Sequence, residues 1–294
     1  MSIERDYLVR GTAAGNSVRF FAATTGNLVK EAQQRHSLSP TACAALGRLL
    51  TGGAMFGVML KEGEDVTLQI KGDGPLGTLM VTADSRGHVR GYVENPSVHL
   101  PLNEKGKLNV GSAIGKGMLY VIKDLKMKEP YRGSTPLISG EIGDDLTYYL
   151  TRSEQIPSAV ALGVLVDKGA RVRASGGFML QLLPDHGDNV VSILETRLNK
   201  LKDISRKIDN GMTPEDMVDL LLNGLDWDIK SRVDLKFQCN CSREKMEQVI
   251  VSLGKDEVDA IIKEQGKIEA QCRFCNENYI FSPEEVSQLF KSQF

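Results

Sequence analysis

Four of the chain's five cysteines fall within 37 residues, as Cys239-Asn240-Cys241 and Cys272-Arg273-Phe274-Cys275, with 30 residues between the pairs. This spacing restricts the fold more than any other feature. Zinc takes sulfur or nitrogen ligands at the corners of a tetrahedron, and four thiolates close its shell. A Cys-x-x-Cys knuckle at a hairpin turn supplies two ligands from one side. The other pair must come from elsewhere in the chain, and here it lies just before a capped helix. Isolated buried thiols would not fall in paired short spacings, whereas zinc ligands do. A structural zinc site in a small peptide is worth on the order of 10–16 kcal/mol, and that is folding free energy. Metal ligation by Cys239, Cys241, Cys272 and Cys275 is therefore the first expectation. Cys43, alone in an apolar stretch, is expected to be plain core.

The Cys-x-Cys half is unusual, since most structural zinc sites use longer spacing within each pair. One intervening residue permits a disulfide only in a restricted geometry, which makes such a bond strained and easily reduced. Zinc holds its cysteines as thiolates, the nucleophilic form that an oxidant attacks. Oxidation would then eject the metal.

Three regions are expected along the 294 residues. The first, 1–178, is an α+β core with a mostly antiparallel sheet. Short β-like runs at 17–23, 65–71, 77–83 and 88–94 are separated by turn signals such as Asp73-Gly74-Pro75. Ser39-Pro40 should open a helix toward Leu60, and a second helix is expected over 144–153. Strands return at 160–166 and 178–183.

The second region, 179–232, reads as an amphipathic helical linker without a core of its own. Val190, Val191, Ile193, Leu194, Leu198, Leu201, Ile204 and Ile208 recur at helical spacing over 189–208, ending at Gly211. Thr213-Pro214-Glu215-Asp216 starts another helix through Leu222. The third region, 233–294, is a small zinc-binding domain. Helices should end at Gly254 and Gly266, and a hairpin formed by 267–271 and 278–281 should carry Cys272 and Cys275 in its turn. Ser282-Pro283-Glu284-Glu285 is a capping box for a final helix.

Composition excludes several function classes. Apolar residues make up 41% and charged residues 25%, enough to bury a core, and the net charge of -2 advertises neither a nucleic-acid nor a membrane partner. Residues 1–10 lack the apolar stretch of a secretory signal. The longest uncharged apolar run, 49–60, is too short for the ~20 residues that span a bilayer. A cytoplasmic protein is expected, where clustered cysteines point to metal or redox chemistry.

Three other signals carry little. Gly72-Asp73-Gly74-Pro75-Leu76-Gly77 has the glycine pattern of a dinucleotide loop, but Thr78-Leu79-Met80-Val81-Thr82 reads as a strand, not the helix that would hold a pyrophosphate. His36, His88, His99 and His186 are scattered and show no base–nucleophile partnership. Residues 233–294 hold eight Lys or Arg against eleven Asp or Glu, the wrong sign for a phosphate-binding module.

The chain resembles, over its whole length, the bacterial redox-regulated holdases called 33 kDa chaperonins, or heat shock protein 33. Besides the cysteines, the resemblance rests on Arg90-Gly91-Tyr92-Val93-Glu94-Asn95-Pro96, on the run from Tyr148-Tyr149-Leu150 to Gln155-Ile156-Pro157, and on the run from Ala174-Ser175-Gly176-Gly177 to Leu183-Pro184. It implies an ATP-independent chaperone, not an enzyme, that binds unfolded or oxidatively damaged client proteins during oxidative stress. The reduced, Zn2+-bound form would be inactive. Oxidation would form Cys239–Cys241 and Cys272–Cys275 disulfides, the latter pair first, release zinc, loosen the linker and yield a homodimer. Such local bonds would not tie Cys241 to Cys272, and a bridge closing three residues contributes only roughly 1.5 kcal/mol. Oxidation should therefore unfold the small domain. The alternative is a zinc-ribbon protein that binds nucleic acid or the translation machinery, with its zinc purely structural. An enzyme built on the N-terminal region is a weaker third reading, and a closed four-sulfur zinc would not be its catalytic metal.

Overall fold

The computed structural model describes residues 5–184, 188–201 and 203–291. It divides into two compact units, Met1–Gln238 and Cys239–Phe294.

The first unit holds two sheets. The strands and helices in chain order are β1 (Tyr7–Ala13), β2 (Val18–Thr24), α1 (Gly26–His36), α2 (Pro40–Gly57), β3 (Asp65–Gly72), β4 (Thr78–Asp84), β5 (His88–Val93), α3 (Val110–Ile114), β6 (Gly117–Asp124), β7 (Tyr131–Pro136), α4 (Gly143–Arg152), β8 (Ser158–Val166) and β9 (Val172–Leu182). After these come α5 (Asp188–Leu198), a 3-10 turn (Asn199–Leu201), α6 (Ile204–Asp209), α7 (Pro214–Leu222), β10 (Asp228–Asp234) and β11 (Lys236–Phe237). One sheet runs β10-β1-β2-β9-β8 and the other β11-β5-β4-β3-β6-β7. Every pairing is antiparallel except β11 with β5.

The α2 helix lies between the sheets. Ser39 caps it by accepting the Ala42 N–H, with Pro40 at its first position, as the sequence leads one to expect. Its glycines allow backbone contact on the sheet side: a Cβ on Gly53 would sit 2.6 Å from Val81, and one on Gly57 2.7 Å from the Asp84 carbonyl oxygen. The apolar run 49–60 is thus the buried centre of the first unit. Among the described residues no helix is long and apolar enough to cross a membrane. Alternation along β3 puts Val66, Leu68 and Ile70 into the same core, with Thr67, Gln69 and Lys71 facing away.

The β10–β8 sheet is apolar on both faces. Leu8, Phe21 and Met179 join the α2 core, while Val9, Phe20, Phe178 and Leu180 face a second cluster. That second cluster is completed by Val190, Leu194, Leu201, Ile204, Met217, Val218, Leu221 and Leu222 from the helices after β9. The helices expected to form a linker without a core therefore share one with the sheet. The continuous helix expected over 189–208 is instead broken, because Asp203 adopts a left-handed conformation (φ 59°) that a right-handed helix cannot continue. Positions 179 and 232, the expected ends of the linker, fall within β9 and β10, and the unit boundary follows Gln238.

The glycine-rich run 72–77 connects β3 to β4 with no helix after it, as expected. A Cβ on Gly72 would meet the Ile114 carbonyl oxygen at 2.0 Å, so close backbone approach explains that glycine.

The second unit contains α8 (Arg243–Leu253), α9 (Lys255–Gln265), the hairpin β12 (Ile268–Gln271) with β13 (Asn278–Phe281), and α10 (Pro283–Lys291). These elements match the sequence expectation for this region. Ser242 accepts from the Lys245 N–H, and Ser282 and Glu285 exchange the two bonds of a capping box. Among the described residues its buried apolar core is small: Ile250, Val258, Ile268, Phe281 and Val286.

Candidate metal centre

The four clustered cysteines come from two places in the second unit. Cys239 and Cys241 precede the Ser242 cap of α8. Cys272 and Cys275 occupy the turn between β12 and β13, which is closed by Cys272 N–H to Glu277 O at 2.9 Å and Asn276 N–H to Cys272 O at 2.7 Å. Asn276 takes the left-handed conformation (φ 62°) that such a tight turn requires. The four Sγ atoms lie within 4.8 Å of one another. No other group of three or more Cys, His, Asp or Glu among the described residues is gathered in this way.

The spacing fits a tetrahedral thiolate site. Zn–S bonds of ~2.3 Å put the sulfurs of a tetrahedron about 3.8 Å apart. Cys239 Sγ stands 3.7 Å from Cys272 Sγ, and Cys241 Sγ stands 3.3 Å from Cys275 Sγ. A disulfide needs about 2.05 Å, and none of the five cysteines is in one. Both of these approaches run across the two pairs, so the cluster brings the segment before α8 against the β12–β13 turn.

Electrostatics point the same way. Burial, reinforced by the neighbouring thiols, pushes the Cys239 thiol up to about 11. Burial also raises Cys275, again with help from its neighbours. Cys241 goes the other way: burial raises it, but hydrogen bonds from the Tyr279 hydroxyl and the other thiols outweigh that and hold it below the ordinary thiol value. Four sulfurs this close cannot all carry charge without a cation among them. A divalent metal supplies that charge and deprotonates its thiol ligands outright.

Tyr279 escaped the sequence reading. Its hydroxyl donates to Cys241 Sγ at 3.3 Å from β13. Only the hairpin pairing brings it there, and the one available signal was its place in the strand that leaves the Cys272–Cys275 turn. Lys245 Nζ donates to the Asn240 carbonyl at 2.6 Å, fixing the residue between Cys239 and Cys241.

The remaining candidates lie elsewhere. Cys43 is fully buried in α2, where burial alone pushes its thiol up to about 12, so it is core, as expected. His88 Nδ1 pairs with Asp84 at 3.1 Å and His99 Nδ1 with the Thr41 hydroxyl at 2.9 Å, in separate settings. His36 ends α1, and His186 lies outside the described residues.

Comparison with known proteins agrees over nearly the whole chain. The family model described as Hsp33 protein matches residues 6–282. The 33 kDa chaperonin of Desulforamulus reducens is 47% identical over 287 residues, 98% of each chain. That of Geobacillus kaustophilus is 48% identical over 285 residues, 97% of each. The crystal structure of the 33 kDa chaperonin (heat shock protein 33 homolog) from Thermotoga maritima superposes with a TM-score of 0.92 at 39% identity, covering 98% of both chains. Sequence and fold thus agree from end to end, with all four clustered cysteines inside the matched span, and the chain belongs to the Hsp33 protein family.

Proposed function

We propose that the chain is an ATP-independent holdase switched by oxidation, which keeps unfolding and oxidatively damaged proteins from aggregating. The observation that carries this reading is the gathering of Cys239, Cys241, Cys272 and Cys275 within 4.8 Å in a unit whose apolar core, among the described residues, has only five buried members. A unit of that size generally needs a metal or a crosslink to stay folded. In the reduced state Cys239, Cys241, Cys272 and Cys275 would hold Zn2+ as thiolates, and the metal would tie the segment before α8 to the β12–β13 turn.

The switch is the oxidation of those thiolates. A cysteine sulfur attacks one oxygen of a peroxide, the O–O bond breaks, hydroxide leaves, and the sulfur becomes a sulfenic acid. It gives up two electrons, which the peroxide takes. The partner thiolate then attacks the sulfenic sulfur, the S–S bond forms, and a second hydroxide leaves. Repeated at the other pair, this gives Cys239–Cys241 and Cys272–Cys275. Both bonds are local. They replace the cross-pair approaches of 3.7 Å and 3.3 Å with loops of three and four residues, leaving the segments untied and the zinc without ligands.

The segment between β9 and β10 then loosens. Its helices bury Val190, Leu194, Leu201, Ile204, Met217 and Leu221 against the sheet, and release would present that stripe to apolar segments of clients. The oxidised form acts as a homodimer in the cytoplasm, where the resting thiols stay reduced. The test compares reduced, zinc-loaded protein with peroxide-treated protein for suppression of a heat-denatured client's aggregation. Suppression confined to the oxidised sample is expected, and equal suppression by both would defeat the switch.

A further inference from the structure

The bond from Tyr279 to the sulfur cluster has a specific chemical consequence. Tyr279 lies on β13 opposite Ala270, and its half-buried ring packs against the core of the second unit. Packing holds the ring, and the hydroxyl ends 3.3 Å from Cys241 Sγ. A thiolate has no proton to give, so the phenol is the donor. Losing a group that hydrogen-bonds to a metal ligand typically costs about 10–100-fold in metal affinity or activity, so such bonds act on the ligand atom itself. A donated bond draws electron density from the sulfur and occupies one of its lone pairs, and attack on an electrophile uses such a pair.

We propose that Tyr279 is a positioning residue for the cluster: its hydroxyl guards Cys241 and makes that sulfur less reactive toward electrophiles, peroxides included. This deepens the zinc–thiolate reading above and rests on it. Cys239 provides an internal comparison: both cysteines of the Cys-x-Cys pair are half-buried, and the Cys239 sulfur takes the backbone N–H of Cys241 where Cys241 takes the phenol. Against an alkylating agent the chemistry is one step, with the sulfur bonding to the carbon of iodoacetamide and iodide leaving.

The experiment uses the full-length, reduced, zinc-loaded chain and its Tyr279→Phe variant, which keeps the ring and removes the donor. Each is pulsed with iodoacetamide, and labelling at every cysteine is read by mass spectrometry. In the parent chain Cys241 is expected to label more slowly than Cys239. In Tyr279→Phe the Cys241 rate is expected to rise by roughly 3- to 10-fold while Cys239 changes less than about twofold. One zinc per chain and an unchanged far-UV circular dichroism spectrum are expected of the variant. A ring that served only packing would leave the Cys241 rate where it was, and that result overturns the proposal. If the variant lost its fold, the parent chain would still decide, because Cys241 labelling as fast as Cys239 overturns it equally. A parallel arm follows zinc release by peroxide with a chromogenic chelator. Zinc retained there by both proteins defeats the redox reading, while the alkylation rates still judge Tyr279.

Discussion

Burial raises the Cys43 thiol and the Asp6 carboxyl alike, with different consequences. Cys43 becomes an inert core residue. Asp6 accepts the Leu28 N–H at 2.6 Å and so caps α1 from a strand's approach, yet burial outweighs that bond and pushes its carboxyl from 3.8 to about 6. A raised carboxyl binds its proton more tightly in the folded state than in the unfolded one. Its contribution to stability is therefore present below about pH 4, falls as pH rises toward about 6, and is level beyond. Urea unfolding across that window should show this slope, and Asp6→Asn should flatten it. An unchanged slope in the variant would assign the dependence elsewhere. At the cluster, Cys275→Ser keeps the size of the side chain but removes a thiolate. Zinc affinity measured against a competing chelator should fall by more than about 100-fold, the upper range for merely outer partners of a ligand. The four cysteines were legible in the sequence because their spacing is local chemistry. Tyr279 was not, because only strand pairing carries it to Cys241.

Elements with local start signals were read correctly, and those capped from a distance were not. Ser39-Pro40, Ser242 and Ser282-Pro283 each place their bonds within a few residues, so α2, α8 and α10 follow from the chain itself. The N-terminus of α1 has no side-chain bond from its own cap residue, Thr25, and relies on Asp6. Nothing near Gly26 announces it. The amphipathic pattern of 189–208 was real, since Val190, Leu194, Leu201 and Ile204 are buried, but periodicity cannot show the left-handed Asp203 that breaks the helix. That residue pairs with Lys107 from a distant loop. α7 has a full capping box between Thr213 and Asp216, with the Asp216 N–H donating to Thr213 at 3.1 Å. Thr213→Ala should lower the stability of the first unit by about 1 kcal/mol in denaturant unfolding. Leu222→Ala, at a fully buried position under the sheet, should cost about 2–5 kcal/mol. A loss within error for Leu222→Ala would mean that these helices contribute little to the core.

At the scale of the molecule, the α+β character and the antiparallel sheets were legible, while the strand order was not. β1 pairs with β10 across more than two hundred residues, and β11 runs parallel to β5; no local pattern encodes either pairing. The two units also differ in what holds them. The first has two extensive apolar clusters; the second, among the described residues, has a core of five buried apolar side chains and four clustered sulfurs. Chelating the metal under reducing conditions should therefore strip hydrogen-exchange protection from β12, β13 and α8 while leaving β2, β3 and β9 protected. Protection lost equally in both units would contradict that division. The central claim, that the four thiolates hold a metal that keeps a chaperone silent, is tested most directly by one paired measurement. Zinc and free thiols are counted on the same reduced and peroxide-treated samples whose suppression of client aggregation is followed by light scattering. The account predicts one zinc, five free thiols and no suppression before oxidation, then no zinc, one free thiol (Cys43) and strong suppression after it. Suppression that is equal in the two samples, or that arises with zinc still bound, would contradict it.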